Sequence, residues 1–237
     1  MPVHHAPRAR TARRLLHCIA LLLLHTVGNR PAIADNITPD PQTLGTLEQQ
    51  YGSLARARYE HWQHLISTGE NLSDIEKLTR VNTFFNQVEF VNDIDHWGVE
   101  DYWATPMQLL ASNGGDCEDF SIAKYFTLRQ MGIPAKNLRL TYVKALELNQ
   151  AHMVLTYFRT PDSDPLVLDN LVSKIQKSSS RDDLLPVYSF NAEGLWLARE
   201  RGNEQHLGRP ERLSRWNEVV ARISTEQLLQ VDIPALR

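Results

Sequence analysis

The stretch Asn113-Gly114-Gly115-Asp116-Cys117-Glu118-Asp119-Phe120-Ser121-Ile122-Ala123-Lys124-Tyr125-Phe126 decides how the rest of the chain is read. A Gly-Gly turn leads into a largely apolar run of helical length, so Cys117 falls at a helix start with carboxylates on both sides. The apolar residues Phe120, Ile122, Ala123, Tyr125, Phe126 and Leu128 cover most of the helix circumference until Gly132-Ile133-Pro134 stops it, which predicts a helix buried in the core. That placement suits a nucleophile.

Upstream, Leu44, Leu47, Tyr51, Leu54, Trp62 and Leu65 recur at three- and four-residue steps, with one wider gap holding Arg58 and Tyr59; they predict one amphipathic helix over Leu44–Ile66, ended by Gly69. Ser73-Asp74-Ile75-Glu76 has the form of a capping box and opens a second helix through Leu78, Val81, Phe85 and Val88. From Phe90 to Trp103 the chain is rich in Asn, Asp and aromatic residues, among them Asp93, Asp95 and His96, without a period, and reads as a loop. Trp97 and Trp103 either line a cleft there or are buried. Thr105-Pro106-Met107-Gln108 then caps a short helix to about Ser112.

Downstream the period changes. Arg139–Val143, His152–Phe158, Leu166–Asp169, Val187–Phe190 and Gly194–Ala198 are β-rich runs between polar or Pro/Asp turns, as in an antiparallel sheet. Ser178–Asp183 is a polar loop with no distinct message, and Arg212–Leu229 is a candidate closing helix. The expected class is α+β, with N-terminal helices followed by an antiparallel sheet.

At the N-terminus, Arg8, Arg10, Arg13 and Arg14 precede an apolar run from Leu15 to Val27 and the small-x-small site Ala32-Ile33-Ala34. This is the order of a secretory signal peptide, residues 1–34, followed by a single domain over residues 35–237. The run is interrupted by His17 and His25 and is too short for a comfortable membrane span. Cleavage near Ala34 removes Cys18 and five arginines but no acids, leaving 20 basic against 28 acidic residues, a net charge of −8. Nucleic acid is therefore not an expected partner, and no stable membrane insertion is expected after cleavage. Cys117, then alone, has no internal disulfide partner.

Helices then strands, a cysteine at a helix start, His152 at the start of a strand and Asp169 closing the next one form the order of a papain-like or transglutaminase-like Cys-His-Asp enzyme. The chemistry requires those types: a thiolate to attack a carbonyl, an imidazole to take and return the proton, an acid to orient the imidazole. Singly each signal is ordinary, since a lone cysteine is more often buried and a strand-ending aspartate more often a turn former.

The carboxylates beside Cys117 oppose its ionisation. A helix start favours a thiolate by about 0.3 to ~2 kcal/mol, whereas one carboxylate about 6 Å away at an effective dielectric of about 20 opposes it by roughly 3 kcal/mol. Adjacent helical residues point about 100° apart, so Asp116 and Glu118 either turn to solvent and cap the helix or gather around a hard cation that offsets their charge.

Asp-Tyr-Trp-Ala-Thr-Pro (101–106), Gly-Asp-Cys-Glu-Asp (115–119), His-Met-Val-Leu (152–155), Leu-Val-Leu-Asp-Asn (166–170) and Pro-Val-Tyr-Ser-Phe-Asn (186–191) together resemble the bacterial transglutaminase-like cysteine proteinases, strongly from Asp95 to Leu197. The resemblance implies a papain-like/transglutaminase-like fold and a periplasmic cysteine endoprotease, with Cys117 as nucleophile, His152 as base and Asp169 as orienting acid. It also implies dependence on calcium (Ca2+), held by Asp116 and Glu118 with Asp119 as a further candidate. Its implied substrate is the N-terminal region of a large surface adhesin, whose release disperses biofilm, and its implied partner an inner-membrane cyclic di-GMP receptor. The same triad serves a transglutaminase or glutamine deamidase, and a non-catalytic periplasmic binding module is the rival from another class.

Overall fold

The computed structural model of the chain describes Met1 and residues 41–198 and 204–227. The signal segment with its cleavage point near Ala34, and Leu228 and Leu229 of the expected closing helix, lie outside the described residues.

Helices come first: α1 (Pro41–Tyr51), α2 (Ser53–Gly69) and α3 (Asp74–Phe85). The single helix expected over Leu44–Ile66 is two, because Gly52 adopts φ 84°, a left-handed conformation open to glycine at little cost. The break resets the helical phase. Ala55, Tyr59 and Trp62 face the core, whereas Leu54, which the pattern placed on the apolar side, is 73% exposed. α3 starts as its pattern predicts, Ser73 Oγ accepting the Glu76 N–H at 3.4 Å and Glu76 Oε2 accepting the Ser73 N–H at 3.1 Å.

The expected loop after Phe90 contains one helical turn, α4 (Asp93–His96). In α5 (Pro106–Ser112) the predicted capping box forms, with Thr105 Oγ1 and Gln108 Oε1 accepting each other's backbone N–H at 3.1 and 3.0 Å. The reversal then falls on Asn113, at φ 57°, and not on the glycines. Gly114–Gly115 are a short strand, β2, paired in parallel with β1 (Glu89–Phe90).

α6 (Cys117–Gln130) is buried continuously from Asp119 to Leu128, as its all-round apolar character predicts. It packs against α3, α5 and the sheet, and Trp62 Nε1 of α2 donates to Thr127 Oγ1 at 2.8 Å within the core.

The sheet is antiparallel throughout, in the order β6-β5-β4-β3-β7-β8-β9. Its strands are β3 (Leu138–Ala145), β4 (Gln150–Tyr157), β5 (Leu166–Leu168), β6 (Gln176–Lys177), β7 (Leu184–Phe190), β8 (Leu195–Ala198) and β9 (Glu204–Gly208). β6 and β9 carry no β signal in the sequence, one being two residues long and the other polar. β7 starts before Pro186 because the register slips there, from Tyr142↔Tyr188 to Val143↔Pro186; a bulge accommodates a residue that cannot donate to the ladder.

The closing helix α7 (Ser214–Gln227) lies across residues 101–105. Arg215 Nε donates to Asp101 Oδ2 at 3.1 Å, Arg222 Nη2 to the Trp103 carbonyl, and Thr105 Oγ1 to Glu226 Oε1 at 2.7 Å. Trp216 packs against Tyr125, Phe126 and Phe190. Among the described residues, no helix is long and apolar enough to cross a membrane.

Between β7 and β8, fully buried Asn191 donates from Nδ2 to the Ala135 and Leu138 carbonyls, both at 2.9 Å. Its Oδ1 accepts the Glu193 and Gly194 N–H groups at 2.7 and 3.0 Å. Asn191→Ala strands all four, and urea denaturation should show a loss of about 3 kcal/mol.

Candidate active site

The site is built at the start of α6. Asp116 is the N-cap residue and Cys117 the first residue of the helix. Asp119, fully buried, turns back: its Oδ2 accepts the Asp116 N–H at 3.2 Å and its Oδ1 the Ala104 N–H at 2.6 Å, tying the chain before α5 to the start of α6. This close approach needs glycine, since a Cβ on Gly115 would lie 2.5 Å from Asp119 Oδ2 and 2.7 Å from Leu109 Cδ1.

One turn along, Ser121 Oγ donates to the Met153 carbonyl at 3.0 Å and docks α6 on β4. Cys117 precedes Ser121 by four residues, so it shares that face and lies against the backbone beside His152. Its Sγ donates to Glu118 Oε2 at 3.2 Å.

Sheet register assembles the other two residues. Leu155↔Leu168 closes the β4–β5 ladder, so continuing one step sets Asp169 opposite Val154, two residues from His152 on the same side. His152 Nε2 and Asp169 Oδ1 are 2.8 Å apart, with the residues 2% and 1% exposed. Asp169 Oδ1 also accepts the Leu171 N–H at 2.9 Å, and Nδ2 of Asn86, the residue capping α3, donates to the Asp169 carbonyl at 2.8 Å. Burial alone would raise the Asp169 carboxyl, but hydrogen bonds from His152, Leu171 and Arg181 bring it to about 2. It is an anion throughout the neutral range.

Arg181, 5% exposed, is the member of this group that sequence reasoning missed. It sits in the polar loop that carried no message, and its Nη2 donates to Asp169 Oδ2 at 2.7 Å. No local pattern marks its link to Asp169, which is twelve residues away on the other side of β6.

The acids cluster as well. Ligand oxygens of Asp93, Asp116 and Asp119 lie within 4.8 Å of one another, as do those of Asp93, Asp101 and Glu118; Asp116 and Glu118 form a third such group with the Cys117 sulfur. Asp116 thus joins two of these groups, one with Glu118 and one with Asp119, while Asp93 and Asp101 were not assigned from the sequence. The acidic bias of residues 90–103 was the signal, though Asp95 is not in these groups.

Burial and the adjacent Glu118 push Asp116 up to about 9, and burial, opposed by the Tyr102 N–H and reinforced by Asp116, sets Asp93 at about 7. Burial first, then Glu118 and Asp116, raises the Cys117 thiol well above its ordinary value, against a favourable backbone hydrogen bond from Met153. Buried Asp93 Oδ1 and Asp116 Oδ1 have no hydrogen-bond partner. Crowded, unpartnered carboxylate oxygens fit a hard, oxygen-seeking divalent cation.

Of the two tryptophans, Trp103 is a core residue, stacked on Phe190 at 5.8 Å with Nε1 donating to Asp101 Oδ1 at 3.0 Å. Trp97 is half-buried between His96 and Tyr102.

Residues 55–199 match the family model of the bacterial transglutaminase-like cysteine proteinases. Solved structures of Legionella pneumophila LapG are also similar. One is 44% identical, covers 77% of this chain and 96% of that one, and superposes with a TM-score of 0.67. A calcium-bound form is 46% identical over 77% and 98% of the two chains, with a TM-score of 0.66, and an EGTA-treated form 45% identical over 77% and 96%, with a TM-score of 0.68. No curated protein sequence matches.

The raised carboxyls have a sign. A group more easily protonated when folded stabilises below its unfolded value, near 4, and that contribution is lost as pH rises through about 7 for Asp93 and about 9 for Asp116. In chelator the melting temperature should therefore fall from about pH 5 to about pH 9. Asp116→Asn, followed by circular dichroism near pH 8, should melt roughly 3 °C or more above the unsubstituted protein in chelator.

Proposed function

The chain belongs to the bacterial transglutaminase-like cysteine proteinases, and on that premise we propose that it is a calcium-dependent periplasmic endoprotease. Its substrate is the N-terminal region of a large surface adhesin, whose release disperses biofilm, and an inner-membrane receptor that responds to cyclic di-GMP sequesters it. The observation that carries the chemistry is the buried His152–Asp169 pair, 2.8 Å apart, beside the strand on which the Cys117 helix docks.

Asp169 engages Nε2, so Nδ1 is the nitrogen left for the thiol. In the reading proposed, Nδ1 takes the Cys117 proton as Sγ attacks the scissile carbonyl carbon. The imidazolium then returns that proton to the departing amine, leaving a thioester. Water, deprotonated by the same nitrogen, cleaves the thioester and frees the acid and the thiol. Asp169 stays ionised and holds the ring. The Cys117 N–H opens α6, has no acceptor within the helix, and is the candidate donor to the oxyanion.

Asp116 and Glu118, with Asp93, Asp101 and Asp119 at hand, would hold the calcium ion, which supplies positive charge where the carboxylates otherwise oppose the thiolate. The calcium-bound state of the Legionella pneumophila relative supports this assignment. Adhesin, receptor and compartment rest on the family.

Incubating the protein and Cys117→Ala with recombinant adhesin N-terminal regions, in calcium or chelator, tests the reading. Mass spectrometry should find two fragments with the unsubstituted protein in calcium. Chelator should abolish cleavage and added calcium restore it, and Cys117→Ala should cut slower by roughly a thousandfold or more. An intact substrate with altered glutamine mass would instead mean transfer or deamidation. Biological output unchanged by Cys117→Ala would mean a binding module.

A further inference from the structure

We infer that Arg181 is a positioning residue for this reaction: by bridging Asp169 and Asp183 it fixes the carboxylate that orients His152. The inference rests on the Cys117–His152–Asp169 assignment and adds to it a residue outside the three.

The geometry is specific. Asp169 Oδ1 is shared by His152 Nε2 at 2.8 Å and the Leu171 N–H at 2.9 Å, and Arg181 Nη2 reaches the other oxygen, Oδ2, at 2.7 Å. A carboxylate held only through Oδ1 can turn about its Cβ–Cγ bond and carry that oxygen out of the imidazole plane. The guanidinium fastens the second oxygen and removes that freedom.

Arg181 is itself clamped. Its Nε and Nη2 both donate to Asp183, to Oδ1 and Oδ2, each at 2.8 Å. Its backbone N–H donates to the Ser178 carbonyl and its carbonyl accepts the Leu184 N–H, both at 3.0 Å. The Asp183 carbonyl accepts the Leu146 N–H at 2.8 Å, joining this corner to the β3–β4 hairpin. That hairpin enters β4 at Gln150, two residues before His152. The Asp169 carboxylate and the His152 backbone are thus referred to one anchored corner.

Charge alternates along the row: Asp183, Arg181, Asp169, and His152 when it carries the proton. A cation on Asp169 alone would weaken that carboxylate's hold on the imidazolium. Asp183, on the far side of the guanidinium, offsets it and leaves the Asp169 charge to act on His152. A planar fork that binds two carboxylates at once is a task for arginine, since an ammonium pairs as a point charge.

The test is the rate at which iodoacetamide alkylates Cys117, read at the Cys117 peptide by mass spectrometry, in calcium, for Arg181→Met, Arg181→Lys, Asp183→Asn and His152→Ala. Arg181→Met should react roughly tenfold to a hundredfold slower than the unsubstituted protein while its circular dichroism spectrum is unchanged. Arg181→Lys, which restores the charge but not the fork that meets Asp169 and Asp183 together, should recover only part of the rate. Folded Arg181→Met reacting at the unsubstituted rate overturns the inference. Should that variant fail to fold, Asp183→Asn decides: it should be slower by several-fold, and an unchanged rate overturns the inference. His152→Ala at the unsubstituted rate would overturn the triad reading itself, whereas a slow His152→Ala beside a fast Arg181→Met would remove Arg181 alone.

Discussion

Repulsion among buried carboxyl groups is the constraint on which this site depends. Asp93, Asp116, Glu118 and Asp119, with the exposed Asp101 at their edge, gather near the start of α6, and two of their oxygens are buried without a partner. A fold does not concentrate like charge in this way for its own stability, because each desolvated carboxylate is costly. The cost is carried by the scaffold around it. α6 is wrapped by α2, α3, α5 and the sheet, and Asp119 fixes the helix start through two backbone N–H groups from separate segments. The packed elements keep the acids in place, in groups whose oxygens lie close enough together to suit a cation.

The two ends of the reacting row are built on opposite electrostatic principles. Burial, with Glu118 and Asp116 beside it, holds Cys117 as the neutral thiol, whereas Asp169 lies among donors that hold it as the anion. His152 therefore pairs with a group whose ionisation state does not vary through the neutral range, while the state of Cys117 follows burial and the charge on Asp116 and Glu118.

What the sequence disclosed, and what it did not, follows from range. Caps at Ser73 and Thr105 need partners only three residues away, so their patterns could be read directly. The buried helix was visible because its apolar residues go all round, and the Cys-His-Asp order because each member sits at an element's end. Gly52 was missed because apolar spacing does not report a positive φ, and the phase error it caused turned Leu54 outward and Tyr59 inward. The link of Arg181 to Asp169, and those of Asp93 and Asp101 to the acids of α6, were missed because they join separate parts of the chain. β6 and β9 were missed because strand pairing there precedes any side-chain preference.

Helix α7 places a different constraint on the molecule, one of time. α7 gives residues 101–105 three further partners, Arg215, Arg222 and Glu226, made 114 to 121 residues later. Asp101 and the N-cap of α5 therefore wait for their last anchors until residues 214–227 have emerged, long after the cysteine and its neighbours exist. Chain growth itself thus delays completion of the acidic cluster beyond the synthesis of the helix that carries Cys117.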